Sequence, residues 1–474
     1  MACSTSRNRL VVDSIHGDIH LTPHEWGVVN TASFQRLMRI KQLGMGHFTY
    51  PNATHTRFAH SLGVLGIMGR VLDAAKDYGL RPDSEMHENL RLAALLHDIG
   101  HYPYSHVMET LDSVKLTEEL IGSATEKKEL NLATLSYPKH EQVGALIVNS
   151  QQDLIEAIGS EGRCRAVADL FTRSKAADEQ LSKLIHSSLD MDRLDYLLRD
   201  SRAAGVPYGS IDVPYLLNNV MASPVSGVVG VSQKALPAAE QFLLARYFMY
   251  RAVYYHKTTV ALDEVCRQLL RRARDQGKYQ VPRDADEVRE IAKCPARLAR
   301  FTDAFVDGIV QQALSDEDED IKCLAHAIAF RHPPKLLKEV AALPERTSTT
   351  RSGAVFTLNC RLRLAALAQE FSLPPSRFLL WEAKPFEFEE RGPEFTAAEV
   401  KEMMSKEDGQ EERAIKVFFD KGDTDPPSIM DINHSIVRLC ADRVFCLTRL
   451  YVVCEDRALV ESLREKVSGW DKAE

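Results

Sequence analysis

No Cys-x-x-Cys pair occurs among the nine cysteines scattered from Cys3 to Cys454, which argues against a zinc ribbon or a disulfide framework and for reduced thiols. No run approaches the roughly 18 to 20 apolar residues that a membrane-spanning helix requires. Met1 to Leu10 is polar, unlike a signal peptide, so a cytoplasmic location is expected. A cationic excess is missing as well: 59 Lys and Arg stand against 67 Asp and Glu, net −8, and the charge gives no support to nucleic-acid binding. Internal repeats and long low-complexity tracts are absent. What is present is a chain of 474 residues, 45 % apolar and 27 % charged, which exceeds one typical domain and can bury a large core.

From Leu10 to about Tyr279, amphipathic segments broken by short Gly, Pro and Asn turns predict a mostly helical unit. Ser61 to Lys76 places Val64, Ile67, Met68, Val71 and Leu72 at three-and-four spacing, with His60 at its start. Arg91 to Ile99 is apolar on nearly every side, which predicts a buried helix that ends at Gly100 and delivers His97 and Asp98 inward. Beyond Val281 a charged patch, Ser315 to Asp320, precedes strand-like runs from Ala354 to Leu358 and from Arg443 to Val453. The expectation is a mainly α chain: a core over 1–279 and a smaller α+β lobe over 280–474 for regulation and assembly. Met403 to Glu412, charged and without apolar period, predicts an exposed loop.

A histidine followed by an aspartate on a greasy helix costs several kcal/mol unless compensated. Two partners could compensate it: each other, as a self-satisfied pair, or a bound cation. His60 and Asp192 complete an H…HD…D set of two imidazoles and two carboxylates, a mixture suiting Mn²⁺, Fe²⁺, Zn²⁺ or Co²⁺ better than Mg²⁺, without deciding the metal.

With these residues in place the sequence resembles the HD-domain metal-dependent phosphohydrolases, and within them the deoxynucleoside triphosphate triphosphohydrolases, both the vertebrate sterile-alpha-motif and HD-domain kind and bacterial homologues. The resemblance runs in order through Asp13–Gly17, Phe34–Leu37, Lys41–Gly44, Thr56–Gly63, Leu96–His101, Tyr104–His106, His140–Gln142, Asp190–Tyr196 and Arg199–Asp200, over roughly the first 260 residues. No sterile-alpha-motif module is expected before Leu10.

The resemblance implies the helical fold of that family and His60, His97, Asp98 and Asp192 as ligands of a divalent ion (Mn, Fe, Mg or Zn). It implies His101, His106, Glu109 and His140 around the α-phosphorus, with His106 as the acid that protonates the leaving 5′-oxygen; Glu109 stands where an aspartate is usual. Arg57, Arg193 and Arg246 occupy phosphate-binding positions, with Arg193 in place of the commoner lysine. Tyr196 and Asp200 contact phosphate and sugar, Gln42 reads the 3′-hydroxyl, and Leu43 with Tyr254 crowds the 2′-carbon against ribonucleotides.

The activity implied is hydrolysis of deoxynucleoside triphosphates to deoxynucleoside and triphosphate, in a homo-oligomer, dimer or tetramer, with deoxynucleotides as substrate and effector. The effector positions are Asn30, Gln35, Met38 and Lys234. Asn30 and Met38 replace the acid and arginine that read guanine, so guanine-specific activation is not expected. Two rivals stay open: an enzyme with the same metal site acting on another phosphoester, and a nucleotide-sensing binding protein.

Overall fold

The computed structural model describes residues 8–74, 82–111, 136–174, 179–185, 187, 189–223, 225–226, 228–345, 352–384, 386–387, 415–440 and 443–472. The expected loop Met403–Glu412 lies outside them. An antiparallel hairpin, β1 (Arg9–Asp13) and β2 (Gly17–Leu21), leads into the helices. α1 (Arg57–Ala74) packs against α2 (Ser84–Leu96), which contacts α4 (Glu161–Thr172); α3 (His140–Ser150) also lies on α4, and α5 (Met191–Ala204) returns across α1. Side chains of Asp83, Ser160 and Asp190 accept backbone N–H groups at the starts of α2, α4 and α5, which satisfies donors that a helix leaves open.

Two boundaries differ from expectation. α1 opens at Arg57 rather than Ser61, which puts His60 in its first turn. α2 begins at Ser84 and stops at Leu96, so His97 caps it and Asp98 lies in the following turn. That turn fits closely: a Cβ on Gly100 would lie 2.1 Å from His140 O and 2.2 Å from Gly144 N, so only glycine lets the turn touch α3.

Beyond α5 come the short strands β3 (Val220–Ala222) and β4 (Val229–Ser232), α6 (Leu236–Met249), a π-helical turn at Tyr250–Tyr254, and the long α7 (Lys257–Asp275), which packs on α8 (Glu319–Ala329). The C-terminal part contains β5 (Lys335–Ala342), α9 (Ser352–Glu370), β6 (Phe378–Glu382), β7 (Phe386–Glu387), β8 (Lys416–Phe418), β9 (Val444–Val452) and α10 (Arg457–Val467). β9 is central, with β5, β6 and β7 antiparallel to it. β8 instead joins β4 in parallel. Leu447 and Tyr451 on β9 face the main core, whereas Leu450 and Val452 join a second cluster with α9 and α10. Burial on both faces is why β9 reads as a continuous apolar run.

The run from Ala354 to Leu358 is not a strand but lies inside α9. Its buried residues, Phe356, Cys360, Leu364 and Leu367, follow helical spacing, and five residues were too short a window to separate the two periods. Among the described residues no helix is long and apolar enough to cross a membrane.

Candidate active site

Three helix ends deliver the H…HD…D set to one place. His60 Nε2 lies 3.0 Å from Asp192 Oδ1 and 3.5 Å from Asp98 Oδ2. His97 Nε2 lies 3.5 Å from Asp98 Oδ1 and 3.7 Å from Asp192 Oδ1. Asp192 sits in the first turn of α5, behind Asp190, whose carboxylate accepts from Arg193 N at 2.7 Å.

The opposite ring nitrogens are engaged: His60 Nδ1 at 2.7 Å by Asp195 Oδ2, and His97 Nδ1 at 2.8 Å by Ala94 O. Nδ1 is therefore the donor on each ring, and Nε2 of each faces the two carboxylates, offering a lone pair when the ring is neutral. Both Nε2 atoms are buried and make no hydrogen bond. Burial alone would lower the pKa of His60, yet Asp192 and Asp195 draw it up to about 10, the mark of a field that calls for positive charge. His60, His97 and Asp98 could hold a metal ion, and Asp192 adds a second carboxylate. Two nitrogen and two oxygen donors, with the rings pinned from behind, fit a divalent ion.

A second cluster adjoins it. Asp98 Oδ1 lies 3.1 Å from His101 Nε2, and the His101 ring stacks on His140 with centroids 3.9 Å apart. Burial, with Arg57 and His140 close by, keeps the pKa of His101 well below its ordinary value, so it stays neutral. Glu109 bridges the other two histidines, Oε2 to His106 Nδ1 at 2.8 Å and Oε1 to His140 Nδ1 at 2.9 Å. Despite its burial Glu109 is held far below the carboxylate range by those rings, and it draws His140 upward against burial. The His106 side chain is 66 % exposed, and its Nε2 is the edge turned away from Glu109. The backbone ahead of it is constrained: Tyr104 and Ser105 both have positive φ, held by Tyr104 N to Asp303 Oδ1 at 2.7 Å and by Arg57 Nε to Ser105 Oγ at 3.0 Å.

Of the expected substrate residues, Arg57 grips Asp98 Oδ2 through Nη1 at 2.5 Å. Gln42 is joined to this neighbourhood through its backbone, N to His55 O at 3.0 Å, while its buried Oε1 makes no hydrogen bond. Leu43 is half-buried against the core. Tyr254 Oη donates to Asp200 Oδ2 at 2.8 Å, and the Tyr196 ring meets Tyr254 edge-on at 6.0 Å. Arg246 lies over Tyr250 at 5.7 Å and over Phe386 of β7 at 4.9 Å. Arg193 Nε lies 3.6 Å from Asp190 Oδ2.

The expected effector residues lie apart from these. Asn30 and Met38 are exposed, Gln35 Nε2 donates to Val29 O at 2.7 Å, and Lys234 is exposed on a separate short turn, Gln233–Ala235. Neighbouring Arg36 is buried, donating to Phe301 O, Ile99 O and His101 O, so it fastens this segment to the turn after Asp98.

Sequence reasoning missed Asp195, His16, Arg199 and His55. Asp192, Asp195 and Arg199 share one helix face at three-and-four spacing, and polar residues repeating on a buried face were the available signal. Nothing in the sequence announced that His16 and His55 point inward.

Residues 57–200 match the HD domain and residues 211–300 the HD associated region. An uncharacterized protein of Methanocaldococcus jannaschii is 35 % identical over 262 residues, 55 % of this chain and 49 % of its own length. The deoxynucleoside triphosphate triphosphohydrolase SAMHD1 of Homo sapiens is 26 % identical over 315 residues, 60 % of this chain and 49 % of its own. The chain thus spans about half the length of the curated relatives it matches. Among solved structures, a phosphohydrolase of Bacteroides thetaiotaomicron superposes with a TM-score of 0.67 at 21 % identity, covering 94 % of this chain and 100 % of that one.

Proposed function

We propose that this chain, which matches the HD domain over residues 57–200 and the HD associated region over residues 211–300, hydrolyses deoxynucleoside triphosphates to deoxynucleoside and inorganic triphosphate. The observation that carries this reading is the pair of buried Nε2 atoms of His60 and His97 facing the carboxylates of Asp98 and Asp192, directly beside the His106–Glu109–His140 relay.

His60, His97, Asp98 and Asp192 would hold the divalent ion, which when bound supplies Lewis-acid polarisation of the phosphate. Arg57, Arg193 and Arg246 offset the charge of the triphosphate, with forked contacts that lysine cannot make. Water attacks the α-phosphorus, the bond to the 5′-oxygen breaks, and His106 delivers a proton to that oxygen. Glu109 orients His106 through Nδ1, leaving Nε2 as the donor edge. Tyr254 and Leu43 crowd the 2′-carbon, while Gln42, Tyr196 and Asp200 meet the sugar and phosphate.

The second half of the reading is regulation: an oligomer, dimer or tetramer, stimulated by a deoxynucleotide rather than GTP, because Asn30 and Met38 offer guanine neither a carboxylate nor an arginine. Cys164, Cys266 and Cys360 are buried as free thiols, which supports a cytoplasmic setting.

The deciding experiment incubates the purified protein with the four deoxynucleotides, singly and mixed, with Mg²⁺ or Mn²⁺, and resolves products by ion exchange. Intact triphosphate is expected, and one deoxynucleotide should stimulate hydrolysis of another while sedimentation shifts to a larger species. Release of phosphate or pyrophosphate instead would assign the site to another phosphoester.

A further inference from the structure

Asp195 is completely buried, and its carboxylate is fully subscribed. Oδ1 accepts from His16 Nε2 at 2.7 Å and Arg199 Nη2 at 2.8 Å; Oδ2 accepts from His60 Nδ1 at 2.7 Å and Arg199 Nε at 2.8 Å. A carboxylate offers about four lone-pair positions, so none is left over. Arg199 already neutralises the charge and takes two of those positions, one on each oxygen. The additional donor comes from outside the helical core: His16 lies in the turn of the β1–β2 hairpin, with its side chain almost wholly buried.

That turn is fastened from several sides. Asp13 Oδ1 accepts from Ile15 N and His16 N, both at 2.9 Å, and Asp13 Oδ2 accepts from Arg199 Nη1 at 2.9 Å. From α1, Arg70 Nη2 donates to His16 O at 3.0 Å; from α5, Arg202 Nη1 donates to Ser14 O at 2.7 Å. α1 makes room for the arrangement at Gly63, where a Cβ would lie 1.9 Å from Asp195 Oδ1. Ile19 and Leu21 of β2 belong to the main core, so the hairpin is also seated by apolar contacts that do not involve His16.

We propose that His16 is a positioning residue for the metal site: by filling the last acceptor position of Asp195 it locks that carboxylate in the rotation that His60 Nδ1 needs, so that the hairpin turn sets how tightly the site holds its divalent ion. Without His16, one acceptor position of Oδ1 is open in a buried place. The carboxylate then turns, its bond to His60 bends, and the lone pair of His60 Nε2 is no longer held toward Asp98 and Asp192. Outer partners of metal-binding histidines act in this way, and losing one typically costs ~10- to 100-fold in metal affinity. The inference rests on His60, His97, Asp98 and Asp192 being the metal ligands.

The test titrates Mn²⁺ into the full chain without substrate and follows binding by calorimetry, with thermal unfolding in chelator measured alongside. His16→Ala is expected to bind Mn²⁺ ~10- to 100-fold more weakly than wild type, and His16→Gln, whose amide can donate, to recover part of the loss. Ile19→Ala, which loosens the same hairpin without touching the relay, should melt earlier yet keep wild-type affinity. If His16→Ala does not fold, Asp13→Asn carries the test, since it frees the turn and is expected to weaken Mn²⁺ binding. Wild-type affinity in the His16 or Asp13 variant would overturn the inference alone, as would an equal loss in Ile19→Ala. A wild-type protein that binds no divalent ion would overturn the metal reading and this inference with it.

Discussion

Tyr254 and Asp200 are joined by a 2.8 Å hydrogen bond from the phenol to Oδ2, while His55 Nε2 holds Oδ1 at 2.7 Å. The tyrosine ring is thus tethered to a carboxylate that is fixed from its other side, and a tethered ring excludes volume more sharply than a mobile one. Tyr254→Ala and Leu43→Ala should relax sugar selection, raising kcat/KM for ATP relative to dATP. Tyr254→Phe, which keeps the bulk and loses the tether, should do so less. A wild-type enzyme that hydrolyses ATP as fast as dATP would refute the sieve.

On the proposed metal site, removing any of His97, Asp98 or Asp192 would take away one of few inner ligands and leave buried charges unbalanced. His97→Ala, Asp98→Ala and Asp192→Ala should each lose metal content, read by elemental analysis, together with turnover. Full activity of the His97→Ala, Asp98→Ala double variant without metal would dismiss the metal site.

His106 touches Glu109 and no member of the H…HD…D set. His106→Ala should therefore lower kcat by on the order of a hundredfold or more while binding metal and substrate as before. Loss of metal from this variant would place His106 among the ligands.

Gly100→Ala introduces a methyl 2.1 Å from a backbone carbonyl of α3. Backbone cannot step aside as a flexible side chain does, so a loss of ~3 kcal/mol or more is expected in urea unfolding. A stability within experimental error of wild type would show that the turn can move away from α3.

Burial pushes the Asp263 carboxyl, on α7, up to about 7, with Arg267 opposing the rise and Glu264 adding to it. Between about pH 4 and 7 the folded chain keeps a proton that the unfolded chain releases, so this group costs stability as pH rises across that window. Asp263→Asn removes the ionisation, and its stabilising effect should be roughly 3 kcal/mol larger at pH 8 than at pH 5. Equal effects at the two values would mean that Asp263 titrates normally.

Helices were legible where their apolar residues repeat over several turns, as Val64, Ile67, Met68, Val71 and Leu72 do on α1. Ala354 to Leu358 was misread because five residues of a helix with a weakly segregated apolar face look like a strand; Leu358 and Leu362 are exposed on α9 while Phe356 and Cys360 are buried. The start of α1 at Arg57 and the end of α2 at Leu96 were missed by a few residues, since a helix end depends on what the neighbouring backbone can accept.

The sequence by itself determined the helical character of the core and which residues make up the H…HD…D set, because residue type and local spacing carry that information. The tertiary structure alone decided which atoms of those residues face one another. Whether His60 presents Nε2 or Nδ1 depends on Asp195, 135 positions away in sequence, and Asp195 is held in turn by His16, a further 179 positions removed from it. Hydrogen-bond direction within a buried network is set by which chain segments pack together, and no local pattern encodes that.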